Sequence, residues 1–189
     1  SRNPELVLEF YNQRRAQLKE VQPNAGHFGL VQLEQQYEVQ IITQNVDDLH
    51  ERAGSSKVLH LHGELRKVRS TRYPKLIYPW QDDLRLGDRC EKGSQLRPHI
   101  VWFGEAVPLM EHAARLTAQA DIVIIIGTSM QVYPAASLIA YAPLEADIYN
   151  INPQPSTNYE LTSRTQVRTI RDKASNGVQQ LIRQLLSAH

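Results

Sequence analysis

Val39-Gln40-Ile41-Ile42-Thr43-Gln44-Asn45-Val46-Asp47-Asp48-Leu49-His50 is the stretch whose reading decides the fold. The β-branched run from Val39 to Thr43 is strand-like and delivers amides and carboxylates at its end. A second apolar run, Val58 to Leu61, presents His62 just before Gly63-Glu64. Polar clusters at strand ends read as a site rather than a core. Further on, Ile122-Val123-Ile124-Ile125-Ile126 does not alternate, which predicts a strand covered on both faces in a parallel sheet. Ile148 to Ile151 is another such run. Helical patterns surround these strands. Asn3-Pro4-Glu5 is a capped start for a helix to about Lys19, with Leu6, Val7, Phe10 and Leu18 on one stripe and Tyr11 and Arg14 at i and i+3 beside it. Pro23-Asn24 opens a second helix, and Val178, Leu181, Ile182, Leu185 and Leu186 give the C-terminal helix one apolar face. The class is α/β.

Composition narrows the partners. With 21 Lys and Arg against 20 Asp and Glu, the net charge is +1, so no long-range field favours nucleic acid or anionic lipid. No apolar run approaches the roughly 18 to 20 residues of a membrane span, and a soluble, cytoplasmic protein is expected. At 189 residues and 41% hydrophobic, the chain can bury a good core. Cys90 is the single cysteine, which excludes an internal disulfide and any zinc site built from three or four cysteines. Residues 66–95 change character to prolines and charges with few aliphatics. They read as a small, weakly cored insertion within a main domain formed by residues 1–65 and 96–189.

The chemistry-bearing residues each have a plainer alternative. Ile126-Gly127-Thr128-Ser129 puts backbone N–H groups and hydroxyls at the carboxyl edge of a strand, where doubly wound folds bind nucleotides; many strands end this way for turn chemistry alone. Asn152, before Pro153, can bond a ribose or merely cap a turn. Gln44, Asn45 and Asp47 match the carboxamide of nicotinamide and ribose hydroxyls; the plainer alternative is that Asn45 and Asp47 cap the following helix, but three polar groups in four residues after a buried strand are hard to explain by capping. His62 is the candidate general base, because imidazole exchanges protons near neutrality. His60 lies two residues earlier and, with no third ligand evident, reads as a packing residue. Val101-Trp102-Phe103-Gly104-Glu105 reads as an apolar edge able to pair with a peptide backbone, or as a plain core strand.

Taken in order, these motifs resemble the sirtuin family of NAD-dependent protein lysine deacylases, and the resemblance runs from about Asn3 to Ala174. It implies a Rossmann-like parallel sheet with helices on both faces and a small module at the zinc-ribbon position. It implies that His62 is the base and that Gln44, Asn45, Val46 and Asp47 line the nicotinamide and ribose pocket. Gly127, Thr128, Ser129, Asn152, Pro153, Gln154 and Ala174 are then expected around the remainder of NAD. Val101, Trp102, Phe103, Gly104 and Glu105 resemble the acyl-lysine peptide groove. Acylated lysine peptides or proteins would be the substrates, and the products free lysine, nicotinamide and O-acyl-ADP-ribose. Tyr11 and Arg14 look like the Tyr-x-x-Arg signature of members that accept succinyl and malonyl groups, and the wording is closest to the bacterial members of that class. A mono-ADP-ribosyltransferase and a non-catalytic NAD or ADP-ribose binding module are the competing functions.

Two departures from the family pattern stand out. The glycine-rich loop and strand that open the family's sheet are not in the sequence, so the chain is expected to belong to a longer protein. Most sirtuins also hold zinc on four cysteines in the insertion. Here Ser70 stands at the first such position and Cys90 is alone, so no zinc is expected; Tyr73, Leu76, Ile77, Tyr78 and Trp80 are expected to hold the insertion by apolar contacts.

Overall fold

The side chain of Asn3 accepts a hydrogen bond from Leu6 N at 3.1 Å, and Pro4 opens helix α1, Pro4–Leu18. This computed structural model describes residues 3–187. After α1 come α2 (Ala25–Leu33), β1 (Ile41–Thr43), α3 (Leu49–Ala53), β2 (Val58–His60), β3 (Gly63–Ser70), β4 (Ile77–Pro79) and β5 (Leu96–Ile100). The chain continues through α4 (Met110–Thr117), β6 (Ile122–Ile126), a 3-10 helix (Ala135–Tyr141), β7 (Asp147–Ile151), α5 (Tyr159–Thr162), β8 (Val167–Ile170) and α6 (Ala174–Ser187). Two compact units result. One gathers the described residues up to Gln22 with Thr43–Asp48 and His62–Ala106; the other gathers Pro23–Ile42, Leu49–Leu61 and the residues from Val107 onward. The insertion therefore shares a unit with α1 and with the Thr43–Asp48 segment, a larger body than residues 66–95 alone.

In the first unit β4, β3 and β5 form an antiparallel sheet with β3 in the centre. The β3–β5 register is broken: Glu64 faces His99, but Val68 already faces Pro98. Leu65, Arg66 and Lys67 thus form a bulge whose backbone is released from the ladder to β5. Helix α1 departs from expectation. Its buried residues are Leu8, Asn12, Arg15 and Leu18, whereas Leu6 and Phe10 of the predicted stripe are 64% and 49% exposed. Polar residues can face inward because backbone groups receive them. Asn12 Nδ2 donates to the Leu84 carbonyl at 3.1 Å while Leu84 N donates to Asn12 Oδ1 at 2.9 Å, and Arg15 Nε donates to the Leu65 carbonyl at 2.9 Å.

The insertion is better cored than its composition suggests. Leu8, Val68, Leu84, Cys90 and Leu96 are buried together, flanked by Tyr73, Leu76, Tyr78 and Trp80. Ile77 is 42% exposed and stands outside that cluster, a correction to the predicted set that follows from the alternation of faces along β4, where the neighbouring Tyr78 is the residue that packs inward. Among the described residues no group of three or more His, Cys, Asp or Glu side chains is arranged to hold a metal. At the position where a first ligand cysteine would stand, buried Ser70 Oγ accepts hydrogen bonds from Tyr73 N at 3.1 Å, Arg72 N at 3.3 Å and the Cys90 thiol at 3.4 Å.

The second unit holds a parallel sheet in the order β6-β7-β8, with Ile122 opposite Asp147 and Ile148 opposite Val167. β1 and β2 pair separately in a two-stranded sheet. β6 is packed on both faces, with Ile122, Ile124 and Ile126 against one core and Val123 and Ile125 against the other, as its unbroken apolar run predicts, although its place at the edge of the sheet leaves all five residues only half-buried. The core lies between α2, α6 and β7, built on Leu30, Leu33, Tyr149, Ile151, Val178, Leu181 and Ile182. Gly177 is required there, since a Cβ would lie 2.4 Å from Ile151 Cγ2.

Ser70→Ala removes the acceptor for two backbone N–H groups in the first unit. It is expected to cost about 1–3 kcal/mol and to lower Tm by several degrees, while a strong chelator leaves Tm of the unaltered protein unchanged. Thermal melts of both proteins with and without chelator check this; a chelator-dependent fall would place a structural metal in the module.

Candidate active site

His62 is held by its own backbone. It directly precedes β3, its carbonyl accepts from Val101 N at 2.9 Å, and Gly63 follows with φ +85°. A Cβ on Gly63 would lie 1.9 Å from the His99 carbonyl oxygen, so only glycine lets β3 approach β5 this closely beside the histidine. The bulge then supplies the next anchor. Leu65 N, freed from the ladder, donates to the Val46 carbonyl at 2.8 Å, and Arg66 Nε forms an ion pair with Asp48 Oδ2 at 2.5 Å. Asn45 N donates to Thr43 Oγ1 at 3.0 Å, turning the chain as it leaves β1. The segment that carries Gln44, Asn45, Val46 and Asp47 is thereby fastened to the strand that follows His62. All lie in the first unit.

Residues 101–105 are not a strand. They form a turn beyond β5 in which Glu105 N donates to the Trp102 carbonyl at 2.9 Å and Gly104 takes φ +85°, leaving Phe103 97% exposed at the tip. The reading as a β edge is corrected accordingly. Glu105 is also not a free acid. Its carboxylate takes Arg97 in a fork at 2.6 and 3.1 Å, Arg69 Nη2 at 3.2 Å and Trp102 N at 3.0 Å. Despite the opposing desolvation, these donors hold its pKa below the usual carboxylate value. The Arg97 guanidinium lies 3.4 Å from the centre of the Trp102 ring. Tyr11 stacks on Trp102 at 6.4 Å and 19°, and partial burial raises its pKa. Arg14 is exposed, 5.3 Å over the Phe10 ring and 3.4 Å from Gln17 Oε1, and engages no carboxylate among the described residues.

In the second unit, β6 ends in Gly127 with φ +62°, where a Cβ would meet nothing within 4 Å. Asn152 bridges strand ends: its Nδ2 donates to the Thr128 carbonyl at 3.0 Å and its Oδ1 accepts from Gln154 N at 3.0 Å. The Ser129 carbonyl accepts from Ser156 Oγ, Pro153 is exposed, and Ala174 begins α6. His60 is 8% exposed and pairs with Glu51 at 2.6 Å, so it packs with a polar partner. A cavity of about 500 Å³ in the first unit, lined by Asn12, Arg15, Lys19, Trp80, Asp82 and Asp88 among others, includes none of the sequence-predicted site residues. Sequence reasoning missed Arg69, Arg97 and the Leu65 backbone, whose roles depend on the β3–β5 register.

The profile of the Sir2 family matches residues 1–134, and the chain belongs to that family. It is 56% identical over 185 residues to an NAD-dependent protein deacylase of Helicobacter pylori (strain ATCC 700392 / 26695), covering 98% of this chain and 80% of that protein. A relative of the same description from Bacteroides thetaiotaomicron is 51% identical, covering 99% and 81%. A crystal structure described as a Sir2 homologue in complex with NAD superposes with a TM-score of 0.87 at 37% identity, covering 99% of this chain and 74% of that one.

Proposed function

We propose that this chain is an NAD-dependent protein lysine deacylase in which His62 is the general base and the acyl group is transferred to ADP-ribose. The observation that carries the reading is the double anchoring of the first unit, Val101 N on the His62 carbonyl and Leu65 N on the Val46 carbonyl, within a Sir2 family chain. It keeps a base and a run of amide and carboxylate side chains on one rigid framework. NAD, when bound, would supply a ribose whose bond to nicotinamide breaks and whose hydroxyl receives the acyl group, with one water consumed so that the freed lysine amine, nicotinamide and O-acyl-ADP-ribose balance. His62 takes the proton from that hydroxyl, and Gln44, Asn45, Val46 and Asp47 orient the nicotinamide and its ribose. Gly127, Thr128, Ser129, Asn152, Pro153, Gln154 and Ala174 hold the remainder. The open space at Gly127 and the turn braced by Asn152 suit a dinucleotide at the ends of parallel strands.

The finer reading is an acidic acyl preference. Arg14 has no carboxylate partner among the described residues, and Tyr11 stands three residues before it on α1. A succinyl or malonyl carboxylate can take the Arg14 guanidinium together with the Tyr11 hydroxyl. Trp102, which stacks on Tyr11, and the exposed Phe103 then face the acyl-lysine peptide with Val101 and Gly104.

Product analysis with NAD labelled in its ADP-ribose part and a succinyl-lysine peptide tests the reaction. Free lysine, nicotinamide and labelled acyl-ADP-ribose are expected. Label attached to protein identifies a mono-ADP-ribosyltransferase, and NAD bound without nicotinamide release identifies a binding module. His62→Ala should lose about 10²- to 10⁴-fold in rate while retaining its fold and NAD binding; a loss of less than about tenfold removes His62 from the base role. Arg14→Met should lower kcat/KM for succinyl-lysine tens-fold or more, with acetyl-lysine changing far less, because only the acidic chain leaves a charge-assisted pair half-made. An unchanged ratio of the two kcat/KM values rejects the acidic acyl preference.

A further inference from the structure

We propose that Glu105 is a positioning residue for acyl-lysine recognition, acting as the counter-charge that lets two cross-strand arginines hold Trp102, and through it Tyr11, in place. Arg69 on β3 and Arg97 on β5 stand directly opposite each other in the antiparallel register. Like charges so placed repel, and their side chains are only 14% and 15% exposed, so water screens them poorly. Both donate to the same carbonyl, Ile100, at 3.3 and 3.0 Å, and both reach the carboxylate of Glu105. One acid therefore bridges two buried cations and offsets half of their charge, and its second oxygen also takes the N–H of Trp102.

The consequence lies in what Arg97 does with its other face. Bound in the fork, its plane is fixed 3.4 Å from the Trp102 ring, and the Trp102 ring is stacked on Tyr11. Glu105 closes the turn at both levels, backbone and side chain, so that Phe103 projects from a rigid tip. Without the carboxylate, Arg69 and Arg97 repel, the fork opens, Trp102 loses its cation and its N–H acceptor, and Tyr11 loses a fixed neighbour. NAD chemistry at His62 is touched only indirectly. The inference deepens the deacylase reading and rests on it for its kinetic half alone.

The test uses Glu105→Gln, which keeps the shape of the side chain and removes its charge. The chain has two tryptophans, so a Trp80→Phe background makes Trp102 the sole reporter. In that background Glu105→Gln is expected to shift Trp102 emission to the red and to raise its acrylamide quenching, with a native circular dichroism spectrum. In the otherwise unaltered protein Glu105→Gln should raise KM for an acyl-lysine peptide about tenfold or more while KM for NAD stays within about threefold. Glu105→Asp should restore part of both signals. Arg97→Lys, which keeps the charge but loses fork and plane, should reproduce both changes and serves if Glu105→Gln does not fold. Unchanged Trp102 fluorescence overturns the clamp. Altered fluorescence with an unchanged peptide KM, or a fall in kcat alone, overturns its role in recognition. Altered fluorescence in a protein whose unsubstituted form deacylates no peptide upholds the clamp and rejects the deacylase reading instead.

Discussion

The bulge in β3 between Glu64 and Val68 is the constraint on which the first unit depends. A regular ladder would engage Leu65 with β5 and leave it nothing to give. Displaced, its N–H fixes Val46 at 2.8 Å and its carbonyl receives Arg15 of α1 at 2.9 Å. One residue thus ties the strand that follows His62, the amide-bearing segment after β1, and the helix that carries Tyr11 and Arg14. Arg66 adds an ion pair to Asp48, and its carbonyl accepts from Trp80 N at 2.8 Å, which extends the bracing into the insertion. Bulges next to active sites commonly serve to re-aim side chains, and here the backbone groups released by the bulge do the work of alignment.

Charge is handled with the same economy of parts. Arg15 is 3% exposed and, among the described residues, donates to neutral oxygens of Leu65, Asn12 and the Asp82 carbonyl; desolvation lowers its pKa, with Asp83 as the compensating charge. Burial also lowers the pKa of His99, with the nearby charge of Arg69 adding to the effect and Glu64, directly across the ladder, opposing it. Where two arginines must lie side by side, Glu105 answers both. In the module at the zinc-ribbon position, the converging hydrogen bonds on Ser70 tie strand β3 to its following turn and to Cys90.

Local signals were legible in the sequence and long-range ones were not. Asn3-Pro4 and Asn24 announce helix starts because a cap acts within its own first turn, and the side chain of Asn24 closes a capping box with His27. The spacing of Val178, Leu181 and Ile182 announced α6 because one face of a helix repeats locally. The glycine after His62 stood out in the sequence, and the register explains why it is needed there. The buried Asn12 and Arg15 were not legible, since a polar residue faces inward only when distant backbone groups wait for it. Nor was the turn at residues 101–105: an apolar run predicts a strand, and only the reach of Glu105 back to Trp102 and across to Arg69 bends it. The pairing of β3 with β5, some thirty residues apart, carries no periodic signal of its own.

Amide hydrogen exchange, read residue by residue at Leu65 and Val101, tests the anchoring most directly. Both lie where simple connectivity gives little reason for protection, one in a bulge and one beyond the end of a strand. If their N–H groups hold Val46 and His62 as described, they exchange slowly, in step with the ladder residues of β3 and β5 and through the same opening of the unit. Exchange at the rate of the exposed loop amides, with the neighbouring ladder still protected, would show that the His62 backbone and the Gln44–Asp47 segment are not fixed to this framework.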